Sequence, residues 1–383
     1  MRDLLKSFGW NEHFEGNLAP GEGLAQVARV VQEHREAYLV HPLGAGLENM
    51  WAEISGKLRH TSALRSDFPA VGDWVVLREF DPKTAAAEAG SLQILRILPR
   101  RTVLARRLEG KREGGGAGGD AQVLAVNVDL AFLAASLNEN FNVRRLERYL
   151  ALAREARTAG GAPVRPVILL TKADLCADVG PFVEQARMIA GDCEIHAISV
   201  VTGAGVELVR EYLRPGVTAV VLGSSGIGKS TLVNYLAEAD VQDMMQTREF
   251  DDKGRHCTTF RNLVRTKAGG LIIDTPGLRG LSLGEAMDGV AATFEDIEKL
   301  AGTCRFGNCG HESEPGCAVR GALEAGTLDG GRLEAYLKMQ REAGAMAQRE
   351  NRIQGRKQRK IEKRTTATKE KKGKGDWRGE EEA

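Results

Sequence analysis

Residues 223–230 read GSSGIGKS, with the apolar run AVVL before them and STLVNYLAEA behind. The G-x-x-x-x-G-K-[S/T] spacing leaves the chain little freedom. Its glycines let the backbone wrap with N–H groups facing inward, which makes a nest for phosphate oxygens. The run in front predicts a strand and the run behind a helix, whose positive end then points at the phosphates. Gly223, Ser224, Ser225, Gly226, Ile227 and Gly228 are expected to form the cradle, with Thr231 at its rim. Lys229 is expected to reach the β- and γ-phosphates as a catalytic group, and Ser230 to place its hydroxyl on Mg²⁺.

Two further motifs give this loop a context. DTPG at 274–277 follows the apolar GGLII, so Asp274 sits at a strand end and can hold Mg²⁺ through water, with Gly277 beside the phosphates. TKAD at 171–174 follows the apolar VRPVILL. Asp174 can accept two hydrogen bonds from guanine N1–H and N2–H₂. Adenine offers no such donor pair and would leave a buried carboxylate unpaired. The stem of Lys172 can lie along the base, with Thr171 and Ala173 flanking it. AISVVTGAG at 197–205 supplies a second base-side loop through Ser199. Read alone, TKAD could be no more than a helix cap.

The order of these parts is unusual. The base-reading loops precede the phosphate loop, where a GTP-binding domain ordinarily has them after it. The pattern is that of a GTPase domain circularly permuted, which folding tolerates because domain termini lie at the surface and close together. From 121 to 285 strands and helices alternate, which predicts a parallel sheet wrapped by helices. VLAVNVDLAFLAAS reads as a buried strand or strand pair, and NVRRLERYLALAREA as a helix.

With 383 residues, two or three domains are expected. Residues 1–26 form an N-terminal extension. From 27 to 108 short β-rich runs (VARVV, AYLVH, WAEISGKLRH, DWVVLREF, LQILRIL) alternate with turn-formers, which predicts a small barrel of about five strands, an OB-fold. The glycine-rich stretch 109–120 reads as a linker. Residues 286–350 read as helical around a cysteine cluster. From Arg352 to Arg378 twelve Lys or Arg stand against three Asp or Glu, so 351–383 is expected to be a basic, disordered tail. The net charge of +1 does not itself point to nucleic acid. No run is long enough to span a bilayer, and the acidic residues in MRDLLKSFGWNEHFE do not suit a signal peptide. A cytoplasmic protein without a membrane partner is expected.

Cys304, Cys309, His311 and Cys317 have the spacing C-x₄-C-x-H-x₅-C. Three thiolates and an imidazole complete a tetrahedral shell with no open position, so one structural zinc is expected. Cys176, Cys193 and Cys257 have no partners at metal spacing and read as ordinary thiols.

Taken together, PAVGDWV, NVD (127–129), NENFNVRRLERYL, TKAD, GSSGIGKSTLVN, KGRHCTT (253–259), DTPGLR and CRFGNCGHESEPGCAV resemble the RsgA (YjeQ or EngC) family of ribosome small-subunit-dependent GTPases. The resemblance covers roughly residues 25–345. It implies an N-terminal OB-fold, a permuted GTPase domain and a zinc-bearing helical C-terminal domain. It also implies the 30S subunit and its 16S rRNA as partners, with GTP and GDP as ligands, in late subunit maturation or assembly-factor release. Cys257 stands where the family more often has Thr, and Thr258 is preferred to Thr259 as the switch residue on Mg²⁺. A monomer is expected.

Where a GTPase often carries Gln after D-x-x-G, this chain has Leu278, which cannot hydrogen-bond the attacking water. His256 in KGRHCTT is the candidate to orient it. Without a partner, turnover is expected on the order of 10⁻⁴ to 10⁻² per second, rising on the 30S subunit. Two other readings remain open at this point: an RNA-binding protein that uses GTP only as a ligand, and a P-loop ATPase.

Overall fold

The computed structural model describes residues 2–34, 37–42, 48–62, 64–78, 92–107, 121–156, 163–237, 261–275, 287–342 and 344. The basic tail, the glycine-rich stretch and the KGRHCTT segment lie outside them, and so do His256, Thr258, Gly277 and Leu278.

Five strands close a barrel near the N-terminus: β1 (Val27–Glu33), β2 (Ala37–Pro42), β3 (Met50–Ile54), β4 (Trp74–Leu77) and β5 (Leu92–Ile97). They pair in the order β1-β2-β3-β5-β4, and β4 returns to β1. Only β3 and β5 run parallel. The closure leaves no free edge among these strands. Val30, Val40, Ala52, Val75, Leu77 and Ile94 fill the interior. One sequence expectation is corrected here. WAEISGKLRH is not a single strand: β3 ends at Ile54, and Ser55 accepts from the Leu58 N–H at 3.3 Å to cap helix α3 (Gly56–Thr61). The two helices before the barrel, α1 (Arg2–Ser7) and α2 (Glu12–Glu15), bury Leu5 and Phe14. Trp10 meets Trp74 edge-on at 5.0 Å.

Beyond the barrel, β6 (Val103–Arg107) and β7 (Ala121–Val126) pair antiparallel, so the glycine-rich stretch joins the two strands of one hairpin. VLAVNVDLAFLAAS resolves into β7 and β8 (Leu130–Ser136), with the bend at Asn127. Asn127 has φ +55°, and its side chain donates to the Gly72 carbonyl at 3.0 Å.

The second sheet contains β8, β9 (Arg165–Thr171), β10 (Glu194–Ala197), β11 (Thr218–Leu222), β12 (Asn262–Arg265) and β13 (Leu271–Asp274). Its order is β10-β9-β8-β11-β13-β12, all parallel except β12. Every residue of β8 and β11 is buried, as expected for strands covered on both faces. Helices α4 (Val143–Glu155), α5 (Gly180–Ala190), α6 (Val206–Tyr212) and α7 (Lys229–Leu236) supply the cover.

Toward the C-terminus come α8 (Met287–Thr293), α9 (Glu295–Ala301), α10 (Ala318–Glu324) and a final helix, α11, over 330–342. Helix α8 packs against α4 at close range. A Cβ on Gly289 would lie 2.2 Å from the Ala151 carbonyl oxygen, so only glycine fits this crossing. One apolar core runs through the extension, the barrel and the C-terminal helices, from Leu5 and Trp74 through Tyr149 to Phe294 and Tyr336.

Two of the contacts that join the barrel to the α/β sheet involve β1. Strand β1 pairs with β12 at Gln32 and Asn262, next to an ion pair of Arg261 with Glu33 at 3.2 Å. Deeper in, Arg29 of β1 is fully buried. Its guanidinium donates to the Phe8 carbonyl, to Thr218 Oγ1 at 3.0 Å and to the Asn127 carbonyl at 3.4 Å, and lies 5.2 Å from the Trp74 ring. Burial pushes its pKa down to about 10, against the pull of Asp129 and Asp73, so it stays charged at neutral pH. Arg29→Ala removes donors from three separate segments and opens a cavity. The expected loss is about 3 kcal/mol or more of stability, read as a lower denaturant midpoint.

Candidate nucleotide site and metal centre

The phosphate loop leaves the C-terminal end of β11, the central strand of the sheet, and enters α7. Gly226 and Gly228 take φ of +80° and +95°, which open the turn that a side chain would resist. Gly223 has no room for a Cβ, which would meet Ile227 Cδ1 at 2.1 Å and the Ala134 carbonyl at 2.9 Å. Lys229 is buried, and its Nζ donates to the carbonyls of Gly223 at 3.0 Å and Ser224 at 2.8 Å. Burial pushes its pKa below the usual lysine value, while Asp274 acts to raise it. Ser225 and Thr231 are exposed at the rim.

Strand β13 lies beside β11 in parallel register, Val221 opposite Asp274. That register brings Ser230 Oγ to 3.1 Å from Asp274 Oδ2. A hydroxyl and a carboxylate side by side at the foot of a phosphate cradle suit an oxygen-ligated cation such as Mg²⁺.

The TKAD loop follows β9, two strands from β11. Thr171 Oγ1 donates to the Ile227 carbonyl at 2.7 Å, and Lys172 Nζ to the Gly226 carbonyl at 2.7 Å. Lys172 takes φ +61° to do so. Ala173 N–H binds the Ile198 carbonyl at 3.1 Å, and Ser199 Oγ donates to Asp174 Oδ1 at 2.5 Å. Two loops more than fifty residues apart in sequence are thus bonded into one site, with Asp174 exposed beside it. TKAD is more than a helix cap. The geometry brings together Thr171, Lys172, Ala173, Asp174, Ser199, the phosphate loop, Lys229, Ser230 and Asp274.

Sequence reasoning assigned no role to one further residue at this loop. Arg145 of α4 donates from Nη1 to Ser224 Oγ at 3.2 Å. It lies in NENFNVRRLERYL, a stretch that carried the family resemblance without a chemical role.

The cysteine cluster also assembles. The ligand atoms of Cys304, Cys309, His311 and Cys317 all lie within 4.8 Å of one another. His311 Nδ1 is 3.4 Å from Cys317 Sγ and 3.7 Å from Cys304 Sγ. His311 reaches this point with φ +58°, and Gly316 turns the chain back with φ +76°. Glu314 ties the intervening loop through the N–H groups of Gly310, Glu312 and Ser313 at 2.8–3.0 Å. Backbone N–H groups, its own included, bring its carboxyl down to about 2. Four soft or borderline donors at this separation can hold one metal ion.

The fold and the site define a P-loop GTP-binding protein whose base-reading strand comes before its phosphate loop, with a barrel ahead and, behind, a helical module whose Cys/His cluster can hold a metal ion. Comparison with known proteins agrees. The RsgA GTPase family matches residues 97–284. A small ribosomal subunit biogenesis GTPase RsgA of Opitutus terrae is 41% identical over 93% of this chain and 94% of its own. RsgA 2 of Lactiplantibacillus plantarum is 39% identical over 89% of each chain. The crystal structure of YjeQ from Thermotoga maritima superposes with a TM-score of 0.55, covering 83% of this chain and 98% of that one at 24% identity. YloQ, a circularly permuted GTPase, superposes with a TM-score of 0.53 over 86% of this chain and 98% of its own, at 22% identity. The chain belongs to the RsgA family of GTP hydrolases. No described helix is long and apolar enough to cross a membrane.

If the cysteine cluster holds a metal, strong chelation or Cys309→Ser should release one ion per chain and loosen α9 to α11. GTP affinity should stay nearly unchanged, because the cluster lies outside the nucleotide loops. Elemental analysis of the purified protein, beside limited proteolysis and a GTP titration, checks this. Protein purified without bound metal would count against the centre.

Proposed function

We propose that this protein hydrolyses GTP on the small ribosomal subunit and couples hydrolysis to late subunit maturation or to release of an assembly factor. The observation that carries the nucleotide part is the bonding of the TKAD loop to the phosphate loop through Thr171 and Lys172. The partner follows from the printed name of relatives aligned over about nine-tenths of the chain, small ribosomal subunit biogenesis GTPase. The 30S subunit with its 16S rRNA is the partner, the protein acts as a monomer, and the compartment is the cytoplasm.

In this reading Asp174 accepts from guanine N1–H and N2–H₂, and the Ser199 hydroxyl holds that carboxylate in place. Lys229 leaves the loop carbonyls for the β- and γ-phosphates. Ser230, Asp274 and Thr258 would hold Mg²⁺, which when bound would supply charge neutralisation at the phosphates. The cation in the Cys304, Cys309, His311 and Cys317 cluster is zinc, and its role is structural. His256 orients the attacking water in place of the glutamine that Leu278 displaces. Gly277 closes the switch beside the γ-phosphate. The domain limits are 27–108 for the OB-fold, 121–285 for the GTPase domain and 286–350 for the zinc module, with the extension before and the tail behind.

Phosphate release from GTP with and without 30S subunits tests the whole reading. Slow release alone and much faster release on the subunit is expected. Equal rates would remove the partner. Asp174→Asn should lose GTP affinity and gain some for xanthosine triphosphate, whose base presents an acceptor where guanine presents a donor. Unchanged GTP binding by this variant takes TKAD out of the site. His256→Ala should keep GTP affinity within a few-fold and cut subunit-stimulated hydrolysis by about 10²-fold. Stimulated hydrolysis near wild type would leave the histidine without a role.

A further inference from the structure

Arg145 stands in the first turn of α4, where Asn142 Oδ1 caps its backbone N–H at 3.1 Å. Its guanidinium is half-buried and donates to Ser224 Oγ at 3.2 Å. Ser224 is therefore held from two sides, its carbonyl by Lys229 and its hydroxyl by Arg145. A charged donor in a partly dry setting makes a stronger bond than a neutral one.

The neighbouring charges on α4 turn the other way. Arg144 pairs with Asp329, Glu147 with Arg332 at 2.8 Å, and Arg148 with Glu342 at 3.1 Å. All three partners belong to the C-terminal module, on or at the start of α11. One helix of thirteen residues thus grips the phosphate loop with one side chain and the C-terminal module with the three charged ones around it. A helix moves as a rigid unit, so α4 cannot shift with the module without pulling on Ser224.

We propose that Arg145 is a positioning residue for GTP hydrolysis. Acting through Ser224, it sets the phosphate loop and links the position of that loop to the position of the C-terminal module. The inference rests on the reading of the loop as a GTP site and adds a residue and a route to it. Reaction rates depend steeply on the placement of the groups around the reacting atoms, whereas ground-state binding is spread over many contacts. Loss of Arg145 is therefore felt mainly in the chemical step.

The test is single-turnover phosphate release by the full chain at saturating GTP, read beside a GDP titration and a thermal melt. Arg145→Ala should release phosphate about tenfold or more slowly, because the loop is no longer held in place. Its GDP affinity should stay within about threefold and its melting temperature near wild type. Arg145→Lys should recover part of the rate. Ser224→Ala should lose as much as Arg145→Ala, and the double variant no more than either, since both remove the same bond. Glu342→Ala, which frees Arg148 of α4 from the C-terminal module, should slow the wild-type background and leave the Arg145→Ala background unchanged. A wild-type rate in Arg145→Ala overturns the proposal, as do additive losses in the double variant. A fall in GDP affinity and melting temperature that matches the fall in rate also overturns it, because the role is then structural. A wild-type chain that releases no phosphate from GTP at all removes the GTPase reading itself, an outcome the Arg145 comparison cannot mimic.

Discussion

A buried carboxylate lies at the centre of the junction between the nucleotide domain and the module behind it. Glu147, fully buried in the middle of α4, takes Arg144 at 2.9 Å and Arg332 at 2.8 Å on the same oxygen, Oε1. Arg332 continues the chain of bonds to Asp296 at 2.7 Å and to the Thr293 carbonyl at 3.0 Å, and lies 4.7 Å from the Phe294 ring. Burial pushes the carboxyl of Glu147 above its usual range, and the two arginines only partly offset it. Such a pair adds little net stability over well-packed apolar residues, but removing one partner leaves an uncompensated charge inside the protein. What it fixes here is position. The C-terminal helices can dock on α4 only where Arg332 meets Glu147, with Gly289 against Ala151 one turn further along.

Arg29 does the same on the opposite side, where its guanidinium joins the N-terminal extension, the barrel and the first residue of β11. Strand β11 is the strand that leads into the phosphate loop. The two flanking modules are therefore not loosely tethered. Each is anchored by a buried arginine to an element that touches the phosphate loop, the barrel through β11 and the C-terminal module through α4. Permutation makes the second anchor possible. The chain after Asp274 would remain inside an unpermuted domain. Here it leads out to α8, and α8 packs back on α4.

How far the sequence could be read follows the range of the interactions. The phosphate loop, TKAD, DTPG and the cysteine cluster were legible because each is a short run whose chemistry depends on its own spacing. The parallel sheet, though not the order of its strands, followed from the alternation of strands and helices. Arg29, Arg145 and Glu147 were not legible. Arg29 and Thr218 are 189 residues apart, Glu147 and Arg332 are 185, and Arg145 and Ser224 are 79, so no local pattern marks any of them. Helix α3 was hidden for a different reason. WAEISGKLRH carries its apolar residues at strand spacing up to Ile54, and the cap at Ser55 changes the structure within one residue. The extension was legible only as a segment. The aromatic packing of Trp10 and Phe14 on Trp74 depends on a strand sixty residues further along.

These contacts bear on how a large partner could act on the nucleotide site. The strand that follows the KGRHCTT segment, β12, is bonded to the barrel through Gln32 and through the Arg261–Glu33 pair. The phosphate loop is bonded through Arg145 to the helix that carries the C-terminal module. A surface that engages only one module can move only one wall of the site. A surface large enough to engage both can set the two walls against each other, because each module is rigidly attached to a different side. A coupling of this kind needs differential contact with two arrangements of the site, and the free energy available is no more than the partner's preference for one of them. Stimulation by a small ligand touching either module alone should therefore fall well short of stimulation by a partner that spans the barrel and the C-terminal module together.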